Sequence, residues 1–203
     1  HPHIRLDNRL WARQVAGFLE QVVQQPAVLV GNSLGGLTAL TTAAFRPEWV
    51  TAVVAAPLPD PALMQPLPRR QPRRLRQLKR RTVELLCRLL PLELLVPLIS
   101  RTALLRIGLQ GAYSRSIRHD RELHQLIASP ARRPTAARSL RAMSIGMALR
   151  PRGATAPALL ERLAKHDQPK PLLLIWGRQD RFVPLLIGEK LQQQNSWLKL
   201  RIL

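Results

Sequence analysis

The sequence predicts an α/β protein whose parallel sheet is interrupted by a helical insertion. Three observations carry this. Residues 27–30, 50–55 and 172–176 are short apolar runs without polar alternation, as strands buried on both faces of a parallel sheet should be. The segments beside them show helical periodicity. Between them, residues 58–170 turn rich in proline and arginine and contain no strand-like run.

Residues 8–24 place Leu10, Trp11, Val15, Phe18, Leu19, Val22 and Val23 at helical spacing behind a cap at Asp7 or Asn8, and Pro26 closes the segment. The strand at 27–30 leads through a glycine-rich turn into a helix over 34–45, which Arg46-Pro47-Glu48 ends. The next strand, 50–55, is stopped by Pro57. Residues 1–57 therefore read as helix, strand, helix, strand. In the insertion, helices are predicted at 83–90, 92–99, 102–109, 120–127 and 135–148. The α/β pattern resumes over 171–203, with a strand at 172–176, a helix at 185–194 and a last strand at 198–203.

Gly31-Asn32-Ser33-Leu34-Gly35 stands where a buried strand turns into a helix. That context gives a Gly-x-Ser-x-Gly pattern its meaning. A turn this sharp strains the serine backbone and lifts its hydroxyl above the carboxyl edge of the sheet. Gly31 and Gly35 are expected because a Cβ at either would collide with nearby backbone, and Gly36 lets the helix lie close on the strand. Ser33 is thus the candidate nucleophile, and the Leu34 backbone N–H a candidate oxyanion donor. The plainer alternative is that Ser33 only caps the helix.

Asp180, in Trp176-Gly177-Arg178-Gln179-Asp180-Arg181-Phe182-Val183-Pro184, follows a buried strand, where a carboxylate can orient a histidine. It can equally cap the helix beginning near Pro184, and one residue can hold both roles. No histidine follows it. His1, His3, His119, His124 and His166 all precede Asp180, and each reads as solvated rather than catalytic. Without a base, Ser33 is a weak nucleophile. The stretch before residue 27 also lacks an early strand and the His-Gly loop that supplies a second oxyanion donor. The expectation is a core cut inside the domain at both ends, inactive as it stands.

Bulk composition narrows the class. Of 203 residues, 46% are hydrophobic and 22% charged, as in a globular domain. The longest apolar stretch, 85–109, is broken by Arg88, Pro91, Glu93, Pro97, Arg101 and Arg106, short of the roughly 18 apolar residues of a membrane span. The opening residues carry no apolar signal region. A lone cysteine, Cys87, reads as a small buried hydrophobe and suits a reduced, cytoplasmic compartment. The net charge is +20, with 23 basic and 7 acidic residues in 58–170. Either the excess is compositional, as in a GC-rich genome, or it faces an anionic membrane surface. With 4% aromatics, and Tyr113 alone in the basic stretch, there is little stacking surface for nucleic acid.

The stretch from Leu6 to Gly36, the segment from Arg101 through Tyr113, and Leu172 to Pro184 resemble the pheophytinase-like α/β-hydrolases of cyanobacteria and chloroplasts. The resemblance covers nearly the whole chain. It implies the α/β-hydrolase fold with a helical cap at 58–170. It also implies cleavage of carboxylic esters, including phytyl esters of chlorophyll-derived pigments, without a cofactor or metal, through an acyl-enzyme on Ser33 with Asp180 as the acid. A serine at this position argues against the dehalogenase and epoxide-hydrolase branches, which use aspartate. Perhydrolase and carbon–carbon hydrolase chemistry remain open, as do a non-catalytic binding protein with this fold and a basic membrane-surface binder. The expected partner of the enzyme is a small-molecule ester, bulky and apolar.

Overall fold

The computed structural model describes residues 5–64, 72–111, 113, 116, 117, 119–166 and 168–203. The chain divides into a sheet unit, residues 1–69 and 150–203, and a helical unit, residues 70–149.

The sheet unit runs α1 (Asn8–Phe18), β1 (Ala27–Asn32), α2 (Leu34–Phe45), β2 (Val50–Ala56) and a short α3 (Pro61–Met64). Its second part supplies α9 (Ala156–Ala164), β3 (Leu172–Trp176), α10 (Leu185–Gln194) and β4 (Leu198–Ile202). The helix predicted over 8–24 is one rod whose last turn, Leu19–Val23, widens to π geometry and stops at Gln24 in the left-handed region. Asp7 caps α1 by accepting from the Arg9 and Leu10 amides. The helix at 34–45 and the strand at 172–176 appear at their expected bounds; β2 and β4 differ by one residue at their ends, and β1 runs two residues past its expected end.

The four strands are all parallel, in the order β1-β2-β3-β4. Register puts Leu29, Val53 and Leu172 on one face, followed on that face by Ala55, Leu174 and Leu200. Both α2 and α10 lie on this face. A Cβ at Gly36 of α2 would come within 3.0 Å of the Ala55 Cβ, and one at Gly188 of α10 within 2.7 Å of the Trp176 ring. Residues 36–44 of α2 are buried without a break, so it is a core helix, apolar or threonine on every side. Thr38, Thr41 and Thr42 satisfy their hydroxyls on carbonyls four residues back.

The other face differs from expectation. Val28 and Val30 are 55% and 75% exposed, and Val54, Leu173 and Ile175 are half-buried. These strands carry the residues of a sheet covered twice, yet the two helices of the sheet unit packed on its strands, α2 and α10, lie on one side. An apolar run shows that a strand can be buried on both faces; the covering elements decide whether it is.

The helical unit holds α4 (Arg73–Leu89), α5 (Leu92–Arg101), α6 (Ala103–Gln110), α7 (Arg121–Ala131) and α8 (Ala136–Ala148). Helix α4 starts ten residues before the predicted 83, because its arginines and lysine are good helix formers despite their charge. The compact unit is narrower than the expected 58–170. Helix α9, which the sequence reading did not assign, packs Leu159, Leu160 and Leu163 into the sheet unit's core. Arg141 of α8 ties the unit together. It donates to the Cys87 and Leu90 carbonyls at 2.8 and 2.9 Å and pairs with Glu93. Cys87 is half-buried rather than fully buried. Among the described residues, no helix is long and apolar enough to cross a membrane.

Candidate functional site

Ser33 sits between β1 and α2 with φ 52° and ψ −120°. Only one other described non-glycine residue has positive φ, Gln24, and it ends a helix in the ordinary left-handed well. The Ser33 conformation lies outside that well, and a side chain is held there at a cost of about 1–3 kcal/mol. Two backbone bonds hold it: the Ser33 N–H donates to the Ala56 carbonyl at 2.9 Å, and its carbonyl accepts from Leu37 N–H at 3.2 Å. The hydroxyl makes no capping bond to the helix it precedes. Asp7 and Asp120 do cap their helices in this chain, so the plain capping role fits Ser33 poorly.

The glycines divide the work differently from the prediction. A Cβ at Gly31 would fall 2.2 Å from the Gly35 carbonyl carbon and 2.5 Å from the Gly36 nitrogen. Gly35 itself has nothing within 4 Å of an added Cβ. The turn is tight because Gly31 lets the Gly35 backbone come down onto the strand; the side-chain space at 35 is open. The Leu34 N–H is the first of α2, and such amides lack an intrahelical acceptor and carry the positive end of the helix dipole.

Asp180 lies in the loop between β3 and α10, half-buried. Its Oδ1 accepts from the Phe182 and Val183 amides, both at 2.9 Å, and the Trp176 indole N–H donates to the Val183 carbonyl at 2.7 Å. One carboxylate oxygen therefore shapes the loop, but it does not cap α10 as the alternative expected: Pro184 precedes that helix and no side chain caps it. The other oxygen makes no hydrogen bond among the described residues and remains an acceptor. Because the strands are parallel, Ser33 and Asp180 stand at the same carboxyl edge, beyond strands two apart in the sheet. Two strand spacings are about 10 Å. A serine–imidazole–carboxylate chain is about 8 Å from Oγ to Oδ, given two hydrogen bonds of about 2.8 Å and the ring between them. That is shorter than two strand spacings, so one imidazole joins the two only where their side chains lean toward each other between the strand ends.

Within the sheet unit no described histidine stands there. His166 is exposed on the approach to β3, at the amino edge of the sheet. His119 and His124 belong to the helical unit. His1 and His3 lie outside the described residues.

A carboxylate that the sequence reading passed over is Asp60, four residues past β2. It is 3% exposed and accepts from Ala62 N–H at 2.9 Å, Ala156 N–H at 2.6 Å and the Arg150 guanidinium at 2.5 Å. Both its carboxylate oxygens are engaged, so it clasps the chain segments leading to and from residues 70–149. Its only sequence signal was an acidic residue among prolines just after a strand. Among the described residues, no group of three or more metal-ligating side chains comes together.

A family described as alpha/beta hydrolase fold matches residues 6–202. The chain belongs to the α/β-hydrolase fold family. A segment of 44 residues is 48% identical to chloroplastic pheophytinase from Arabidopsis thaliana, covering 22% of this chain and 9% of that protein. Among solved structures, a thermophilic esterase from Thermogutta terrifontis superposes with TM-score 0.60 at 16% identity, covering 97% of this chain and 63% of the esterase. The 2-hydroxy-6-oxo-6-phenylhexa-2,4-dienoate hydrolase of Rhodococcus matches with TM-score 0.61 at 19% identity, over 100% of this chain and 66% of its own. A haloalkane dehalogenase from Bradyrhizobium elkanii matches equally well, with TM-score 0.61 at 18% identity over 100% and 67%. The chain thus spans about two thirds of these α/β-hydrolases. At such identities the likeness shows the fold, which hydrolases of different bonds share.

Proposed function

We propose that Ser33 is the nucleophile of a carboxylic ester hydrolase and that Asp180 orients its base. The observation that carries this reading is the Ser33 backbone at φ 52°, in a turn where Gly31 has no room for a Cβ and the hydroxyl takes no capping bond. A strained residue whose polar backbone groups are both used and whose side chain is not is most simply kept for chemistry. In the proposed mechanism a base removes the Ser33 proton as Oγ attacks the ester carbonyl. The tetrahedral oxyanion forms against the Leu34 N–H, the alkoxide leaves with the base's proton, and water repeats the sequence on the acyl-enzyme. Asp180 fixes the base through the oxygen left free. No described histidine of the sheet unit stands beside Ser33 to serve as that base. Without a base, the 203-residue chain is expected to retain no more than about 10⁻⁴ of a complete triad's rate.

The proposed substrates are esters with a bulky apolar group, and the helical unit is read as the family's cap. The exposed Leu94, Leu98, Leu104 and Ile107 of α5 and α6 support that reading. The full-length protein of the natural reading frame should cleave p-nitrophenyl esters with kcat/KM rising steeply from acetyl to long-chain acyl groups, and Ser33→Ala should abolish turnover. A flat chain-length profile overturns the substrate class. Undiminished turnover in Ser33→Ala overturns the nucleophile, and a full-length protein that binds such esters without cleaving them favours a binding role.

A further inference from the structure

We infer that α4 is a membrane-surface helix that lays a leucine stripe into anionic lipid. At 100° per residue, Leu75, Leu78, Leu85, Leu86 and Leu89 fall within an arc of about 100°. These five side chains are 51–69% exposed. The helix packs on α8 by a different side, where Val83 and Cys87 are half-buried. The stripe is therefore not the face that holds the helical unit together.

The charges stand where a bilayer would need them. Arg74, Arg81 and Arg88 recur every seven residues along one margin of the stripe, Lys79 stands on the other, and all four are exposed. None of the four makes an ion pair among the described residues, and Glu84, the one acidic residue of α4, pairs with Arg80. An apolar strip bordered by cations is the pattern of a helix lying in the interface plane, with its leucines in the acyl boundary and its guanidinium groups at phosphate depth. Guanidinium forms paired hydrogen bonds with phosphate oxygens, which makes arginine the better margin residue. A bilayer is favoured over a protein partner because a protein groove would have to match an apolar strip and both cationic margins at one register. Anionic lipid matches them at any register. The helix is also short and charged for a membrane span, so it lies on the surface rather than crossing it. This inference is independent of the hydrolase reading.

The test is flotation of the 203-residue chain with vesicles of phosphatidylcholine alone and with 30% phosphatidylglycerol (roughly the anionic content of a charged leaflet). Binding should be at least tenfold stronger to the anionic vesicles and should fall several-fold between 50 and 500 mM salt, since exposed charges are screened over about 10 Å at 0.1 M. Leu78→Gln/Leu85→Gln/Leu86→Gln should lower binding to anionic vesicles at least tenfold while circular dichroism shows unchanged helix content. If that variant loses helix, Arg74→Gln/Lys79→Gln/Arg81→Gln serves instead. It changes only exposed residues and should lower binding and remove most of the salt dependence. Two results overturn the inference: equal binding to both vesicle types, or a stable dimer in solution that the leucine variant converts to monomer without any change in vesicle binding.

Discussion

The two units of this chain contain similar side chains and use them in opposite ways. In the sheet unit, Leu37, Leu40, Leu58, Leu159, Leu163, Leu174 and Trp176 are fully buried. In the helical unit the buried apolar residues, among those described, are Ile117, Ala128 and Ala137. Burying a large side chain stabilises by about 1.5–3 kcal/mol, so the first unit has a core and the second has mostly helix contacts and polar ties. The helical unit keeps its leucines at the surface. Apolar content thus measures what a segment could bury, while the elements packed around it decide what stays exposed.

The largest effect is expected at the clasp. Asp60→Ala leaves the Arg150 guanidinium, 9% exposed, without its carboxylate and should destabilise the sheet unit by about 3–5 kcal/mol in urea melts. An effect under about 1 kcal/mol would mean the clasp is not part of the core.

Next comes a matched pair of leucines. Leu40→Ala, at 0% exposure, should cost about 2–5 kcal/mol, and Leu85→Ala, at 57% exposure, less than about 0.5 kcal/mol. Equal costs would show that α4 is packed in solution. Hydrogen exchange should report the same asymmetry, with amides of α4–α6 exchanging before those of α2 and β3.

Two glycines in one turn offer a smaller contrast. Gly31→Ala must move the Gly35 backbone and should cost about 1–3 kcal/mol. Gly35→Ala meets nothing and lies within α2, so helix propensity should make it neutral or stabilising by up to about 1 kcal/mol. Equal thermal shifts would show that the turn is looser than its geometry.

The smallest effect concerns pH. The Arg141 guanidinium, hydrogen-bonded to Glu93, holds that carboxyl down at about 2, from an ordinary 4.5. A depressed carboxylate stabilises the fold fully above the unfolded value and loses that contribution as pH falls through the folded one. The stability difference between the parent chain and Glu93→Gln should therefore be constant from pH 8 to 5 and shrink between 4.5 and 2. A difference independent of pH across that window would remove the pair from the account.

Much of the sheet unit was legible because its strands and turns are local signals. A glycine beside a strand end, an apolar run of five and a proline stop each act within a few residues. The Ser33 turn was legible for that reason, down to Gly31. Gly35 was misjudged because its collision was assumed from the motif, whereas the clash runs from the Gly31 side. What stayed hidden depended on distant partners. The exposed face of β1 follows from which helices lie on the sheet. Asp60 gained its role from Arg150 and Ala156, some ninety residues away. Helix α9 was missed in a segment whose arginines and prolines drew attention to charge, although Leu159, Leu160 and Leu163 hold the helical spacing that buries it.

The proposed nucleophile, Ser33, is presented by the turn and activated by the base that Asp180 would orient. Treating the full-length protein with a fluorophosphonate and mapping the adduct by tandem mass spectrometry tests that role. One adduct is expected, on Ser33, absent from Ser33→Ala and strongly reduced in Asp180→Asn. An adduct on another serine, or labelling unchanged in Ser33→Ala, would contradict it.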